Sequence, residues 1–75
     1  MSSKGKEQPL VLQGTVIEAL RGMFFKVECN NETIICTLSG KIQRNNIRIL
    51  VGDRVQIEIS PYDLSKGRII RRLER

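Results

Sequence analysis

Apolar and polar side chains alternate with a period of two in two stretches of this chain, the signature of strands that bury one face. The cleaner is residues 54–60, where Val55, Ile57 and Ile59 share an inner face and Arg54, Gln56, Glu58 and Ser60 the outer one. In the other, Met23, Phe25, Val27 and Cys29 alternate with Phe24, Lys26 and Glu28, predicting a half-buried second strand. Upstream, residues 10–20 are β-branched and apolar, interrupted by Gly14, where a missing side chain marks a bulge or sharp bend in a long first strand. A turn at Arg21-Gly22 separates these two strands. Asn30-Asn31-Glu32-Thr33 supplies turn chemistry, since Asn tolerates left-handed backbone angles, and a third strand follows over residues 34–38, making a hairpin.

Alternation then stops. Residues 39–46 carry no strand pattern, and Ser39 is placed to cap one short helical turn. After Ile47-Arg48-Ile49-Leu50 and a turn at Gly52-Asp53 comes the clean fourth strand, then a loop over residues 61–67 and a last strand over residues 68–73. Five short strands, a glycine-marked bend in the first and a helical turn between the third and fourth give an all-β plan, a five-stranded Greek-key OB-fold barrel. A small SH3-like barrel is the alternative. Leu12, Val16, Phe25, Val27, Ile34, Val55, Ile57, Ile59 and Ile69 supply the inward residues such a barrel needs.

Seventy-five residues make one domain, with residues 10–75 as the barrel and residues 1–9 as a mobile tail. The N-terminus lacks the apolar core of a secretory signal, so nothing in it argues for export. No apolar run approaches the ~18 residues that a membrane span needs. Cys29 and Cys36 are too few for a zinc site without any histidine, so neither metal nor cofactor is expected. They sit on neighbouring predicted strands and could face each other, although small apolar residues of a reduced core are the commoner use. Without histidine, and without an activating partner beside any serine or threonine, catalysis has no machinery.

Charge is distributed unevenly. Residues 39–75 hold nine basic and four acidic side chains and the first 38 residues hold four of each, so the net +5 lies entirely in the second half. Such a field draws in polyanions, which makes nucleic acid the leading partner; the alternative is that Lys and Arg merely solvate one face. Lys41 and Arg44, beside Gly40 and the amides of Gln43, Asn45 and Asn46, suit irregular RNA, and Arg68, Arg71 and Arg72 can fork onto phosphates. Arg71 shares a predicted face with Ile69 and Leu73, while Arg48 and Arg54 could pair with Glu58 or Asp53. Phe24 falls on the outward face of the second strand, either as a base-stacking ring or as an isolated exposed aromatic. Tyr62 either stacks on a base or packs over the end of the barrel. A cold-shock-like RNA chaperone would need more exposed rings than Phe24, and a barrel that meets an acidic protein would bind without RNA.

Longer motifs narrow the choice. Ser39-Gly40-Lys41-Ile42, Arg44-Asn45, Ile47-Arg48-Ile49-Leu50, Gly52-Asp53-Arg54-Val55 and Ser60-Pro61-Tyr62-Asp63-Leu64-Ser65-Lys66-Gly67-Arg68-Ile69 closely resemble bacterial translation initiation factor one. Gln13-Gly14-Thr15-Val16 and residues 23–28 resemble the opening strands of that family. The resemblance covers residues 10–73. It implies an OB-fold and binding, without catalysis, to the small ribosomal subunit at the site where aminoacyl-tRNA decodes. There the factor excludes aminoacyl-tRNA and cooperates with the two other initiation factors to place initiator tRNA. By motif position Lys41, Arg44, Lys66, Arg68 and Arg71 would contact the small-subunit rRNA, with Arg48 beside them and Tyr62 supporting its loop. The implied state is a monomer with no membrane partner, in a bacterial cytoplasm or a plastid stroma. The chain departs from the pattern at Cys36-Thr37-Leu38, which is one residue short and lacks the usual histidine or aromatic.

Overall fold

A glycine at position 14 lets one strand pair on both sides. The computed structural model describes residues 10–74, so the tail expected over residues 1–9 lies outside the described residues. Its elements run β1 (Leu10–Ala19), a 3-10 turn (Arg21–Met23), β2 (Phe25–Cys29), β3 (Glu32–Leu38), α1 (Gly40–Arg44), β4 (Arg54–Ile59) and β5 (Lys66–Glu74). The first half of β1 pairs with β4, from Leu10 opposite Ile59 to Thr15 opposite Arg54. Its second half pairs with β2, from Thr15 opposite Glu28 to Ala19 opposite Phe25. An ideal Cβ on Gly14 would stand 2.6 Å from Val27 Cγ1 and 2.7 Å from the Glu28 carbonyl oxygen, so only glycine fits where the strand crosses between partners.

β2 and β3 form the expected hairpin. Cys29 faces Glu32 across a two-residue turn in which Asn30 and Asn31 both take positive φ, 53° and 65°. β3 then runs parallel to β5, and β5 pairs antiparallel with β4. A parallel pair needs a long crossover, and α1, the linker after it and β4 supply it. The strand order β1-β2-β3-β5-β4 closes on itself, which leaves no free sheet edge.

Val16, Val27, Ile34, Val55, Ile57, Ile59 and Ile69 fill the interior, and Leu12 and Phe25 pack half-buried against it, as the alternation predicts. Cys29 and Cys36 join them. They do not face each other: Cys36 lies opposite Phe25 and Cys29 opposite Glu32. Four rungs of strand, roughly 13 Å, separate them along the hairpin, beyond disulfide reach. Both are free thiols, and burial, with a smaller contribution from charge on Cys29 across the core, pushes the Cys36 pKa up to about 12.

Three strands start elsewhere than the sequence reading has them. β3 begins at Glu32 rather than Ile34, because the turn takes only Asn30 and Asn31 and leaves Glu32 paired with Cys29 and Thr33 with Glu28. β2 begins at Phe25 rather than Met23, because Met23, with φ of 65°, belongs to the turn. β5 begins at Lys66 rather than Arg68, because parallel pairing with β3 recruits Lys66 opposite Ile35 and Gly67 opposite Cys36. No helix among the described residues is long and apolar enough to cross a membrane.

Candidate nucleic-acid interface

α1 is only five residues long, yet it is firmly seated. Ser39 Oγ accepts from the Ile42 amide at 3.3 Å, a cap that contributes about 1 kcal/mol, and the Ser39 amide donates to the Ile69 carbonyl at 3.0 Å. Ile42, 1% exposed, inserts into the end of the barrel. With that side chain turned inward, its neighbours Lys41, Gln43 and Arg44 must point out, and Gln43 and Arg44 are exposed. Gly40 leaves room for Arg44 to fold back: a Cβ there would lie 3.3 Å from Arg44 Nη1.

The linker from α1 to β4 is anchored as well. Ile49 is buried, and the buried Asp53 carboxylate accepts from the Leu50 amide at 2.9 Å while the Leu50 carbonyl accepts from the Asp53 amide at 3.0 Å. Gly52, at φ of 98°, donates to the Val16 carbonyl at 2.8 Å and so joins the linker to β1. Arg48 projects from this stretch into solvent, and Arg72 Nη1 donates to its carbonyl oxygen at 3.1 Å. Asp53 is thus committed to the Leu50 amide and Glu58 to Arg68, so the pairing considered for Arg48 and Arg54 is not formed.

Arg71 does not share a face with Ile69. Ile69 is opposite Ile57 and Arg71 opposite Gln56, so Ile70 is an extra residue that reverses the alternation. A second shift follows, since Arg72 is opposite Val55 and Glu74 opposite Arg54. The first bulge turns Arg71 outward beside Gln56, while Arg72, opposite the buried Val55, falls on the other face at the end of the strand, and both are exposed.

The cations predicted to bind RNA therefore divide between the two ends of the barrel. Lys41, Arg44, Arg48 and Arg71 lie at the end closed by α1, with Arg54 and Arg72 beside them, and none of the first four forms a salt bridge among the described residues. Arg72 belongs to the arginine cluster the sequence points to, whereas Arg54 is not singled out there as a binding residue, although its arginine chemistry and closeness to the other motifs are a usable signal. Lys66 and Arg68 lie toward the other end, each beside a carboxylate: Lys66 Nζ is 4.0 Å from Asp63, and Arg68 pairs with Glu58, its neighbour across the strands. Hydrogen bonds from the Ser65 hydroxyl and amide lower the pKa of Asp63 and keep it anionic beside Lys66.

The two candidate rings are also parted. Phe24 precedes β2 instead of standing on its outward face, and remains 45% exposed near the α1 end, where its carbonyl accepts from the Leu20 amide at 2.8 Å. Tyr62 sits in the β4–β5 loop at the other end and is 86% exposed. No shared stacking platform arises. Beside α1, Gln43, Asn46 and Arg48 join Met23, Leu38 and Ile47 around an open hollow of about 360 Å³, which offers amides and a guanidinium beside apolar surface.

A closed five-stranded barrel of this strand order, with its helix between β3 and β4, is an OB-fold. Residues 3–75 match the profile of the translation initiation factor 1A / IF-1 family, and the chain belongs to that family. Its structure is similar to the solution structure of a translation initiation factor one from the Wolbachia endosymbiont strain TRS of Brugia malayi. That similarity has 45% identity and a TM-score of 0.76 over 91% of this chain and 82% of the other. It is also similar to parts of two larger proteins. For YjeQ from Thermotoga maritima the identity is 34% and the TM-score 0.71, over 88% of this chain and 23% of that one. For YloQ, a circularly permuted GTPase, they are 26% and 0.73, over 97% and 26%. The chain spans about a quarter of each. Bacterial-type initiation factor one is the assignment these similarities support.

Proposed function

We propose that the chain acts in translation initiation as a binding protein, without catalysis, on the small ribosomal subunit. It occupies the site where aminoacyl-tRNA decodes, blocks premature aminoacyl-tRNA entry by its bulk, and cooperates with the other two initiation factors to place initiator tRNA. The observation that carries the reading is the gathering of Lys41, Arg44, Arg48 and Arg71 at the α1 end without carboxylate partners, in a chain of this family. Unneutralised cations on anchored backbone steer the protein toward phosphates and lose little freedom on docking. Lys66 and Arg68 make secondary rRNA contacts, which require them to leave or share Asp63 and Glu58. Phe24 and Tyr62 each offer one ring to a single base. Work as a monomer in the bacterial cytoplasm, or in a plastid stroma, follows from the same reading.

Chemical probing of small-subunit rRNA, with and without the protein at saturation, tests the location. Protection confined to the decoding site is expected. Saturable binding with protection elsewhere would overturn it.

A further inference from the structure

Among the described residues, the end of the barrel opposite α1 is open. Leu10, Leu12, Cys29, Ile34, Ile59 and Leu64 surround a hollow of about 200 Å³, and Leu10 and Leu64 on its lip are 54% and 68% exposed. Single exposed leucines carry no message, but apolar groups converging on a concave mouth do. Small-molecule sites usually run to roughly 300–1,000 Å³, so this hollow suits one or two side chains better than a free metabolite.

One charged residue lines the hollow, and it is acidic. Glu32 lines the hollow, and Glu28 stands on the same hairpin. The one cation in β2 and β3, Lys26, is 3.3 Å from Glu18, so neither Glu28 nor Glu32 forms a salt bridge among the described residues. Lys66 and Arg68, toward the same end, are held by Asp63 and Glu58, so Glu32, unpaired among the described residues, biases the hollow itself toward a cation rather than a phosphate.

We propose that the mouth docks a protein partner that presents a leucine-sized aliphatic side chain beside a Lys or Arg. The aliphatic group fills the hollow and the cation meets Glu32. Charge complementarity favours a basic protein segment over nucleic acid here, and the opposite placement of the α1 cations lets both partners be held at once. That simultaneous arrangement rests on the RNA-binding reading above; the docking itself does not.

The probe is an amidated Lys-Leu-Leu-Lys peptide, titrated to millimolar concentration against the methyl-labelled full chain and followed by NMR. The acidic peptide Glu-Leu-Leu-Glu and a single-stranded RNA oligonucleotide are the controls. Saturable shifts confined to the methyls of Leu10, Leu12, Ile34, Ile59 and Leu64 are expected with the basic peptide and not with the acidic one. Glu32→Lys and Leu64→Asp, both at exposed positions that leave the barrel intact by their amide spectra, should weaken the peptide about fivefold or more, and Arg71→Glu should leave it unchanged. Absence of saturable shifts at these methyls would overturn the proposal. So would the same methyls responding to the RNA, which makes the mouth a nucleic-acid surface, or to protein concentration alone, which makes it a self-association surface. Failure of the protein to bind small subunits would sink the RNA reading and leave this titration unaffected.

Discussion

Arg72 holds Arg48 by its backbone: the guanidinium at the end of β5 donates to the carbonyl oxygen of a residue 24 positions earlier, at 3.1 Å. A strand bulge and a linker are thereby fixed to each other, and both carry cations of the proposed interface. Arg72→Gln should therefore cost more than one lost charge, weakening subunit binding about tenfold. In a double-mutant cycle with Arg48→Gln the losses should fall short of additive, because loosening the linker already misplaces the Arg48 side chain. Additive losses, measured by competition binding, would mean that Arg72 acts only as an independent cation.

Partnering by carboxylates ranks the other cations. Arg68 is already engaged by Glu58, whereas Arg71 faces solvent beside Gln56. A cation that neutralises one phosphate adds about 0.7–0.9 to the slope of log affinity against log salt. Arg71→Gln should lower the slope by about that much and Arg68→Gln by less, because Arg68 already shares its charge with Glu58. Reversing both charges, Arg68→Glu with Arg71→Glu, should abolish subunit binding while the circular dichroism spectrum and urea midpoint stay near those of the parent.

Gly14 and Ile42 report on the scaffold. Gly14→Ala forces a Cβ within 3 Å of Val27 and of the Glu28 carbonyl oxygen, and should cost about 2–3 kcal/mol in urea denaturation. Ile42→Ala empties the plugged end of the barrel and should cost about 3 kcal/mol. Only the second should also reduce subunit affinity in protein that remains folded, because α1 carries Lys41 and Arg44.

Cys36 gives the barrel an alkaline limit. Its folded pKa of about 12 exceeds the ordinary value of 9.0, so the folded state holds a proton that the unfolded state releases. The stabilisation is fully present below pH 9 and is lost as pH rises from 9 toward 12. Between pH 8 and pH 10.5 the stability from urea denaturation should fall by on the order of 1 kcal/mol more than in Cys36→Ala. Native Cys36 should react with iodoacetamide only through unfolding.

Local rules wrote most of this barrel into the sequence. The alternation of Val55, Ile57 and Ile59, the left-handed Asn30 and Asn31 and the Ser39 cap each depend on residues close in sequence, and each appears as expected, whereas the irregularity in β1 falls between Val16 and Glu18 rather than at Gly14. Ile42 and Ile49 escaped as core residues because they sit in a stretch with no period, where only the open end of a finished barrel explains their burial. The outward turn of Arg71 depends on one extra residue in β5, which alternation cannot reveal. The division of cations between free and carboxylate-paired needs the register of β4 against β5, a relation between residues ten apart that no motif encodes.

Recognition of the small-subunit decoding site by the α1 end is the central claim. Binding of labelled protein to purified small ribosomal subunits across a salt titration, with and without an aminoglycoside that occupies that site, tests it most directly. Saturable one-to-one binding with a slope of about −3 to −5, weakened by the drug, is the predicted result. Equal binding to any RNA, unmoved by the drug, would contradict it.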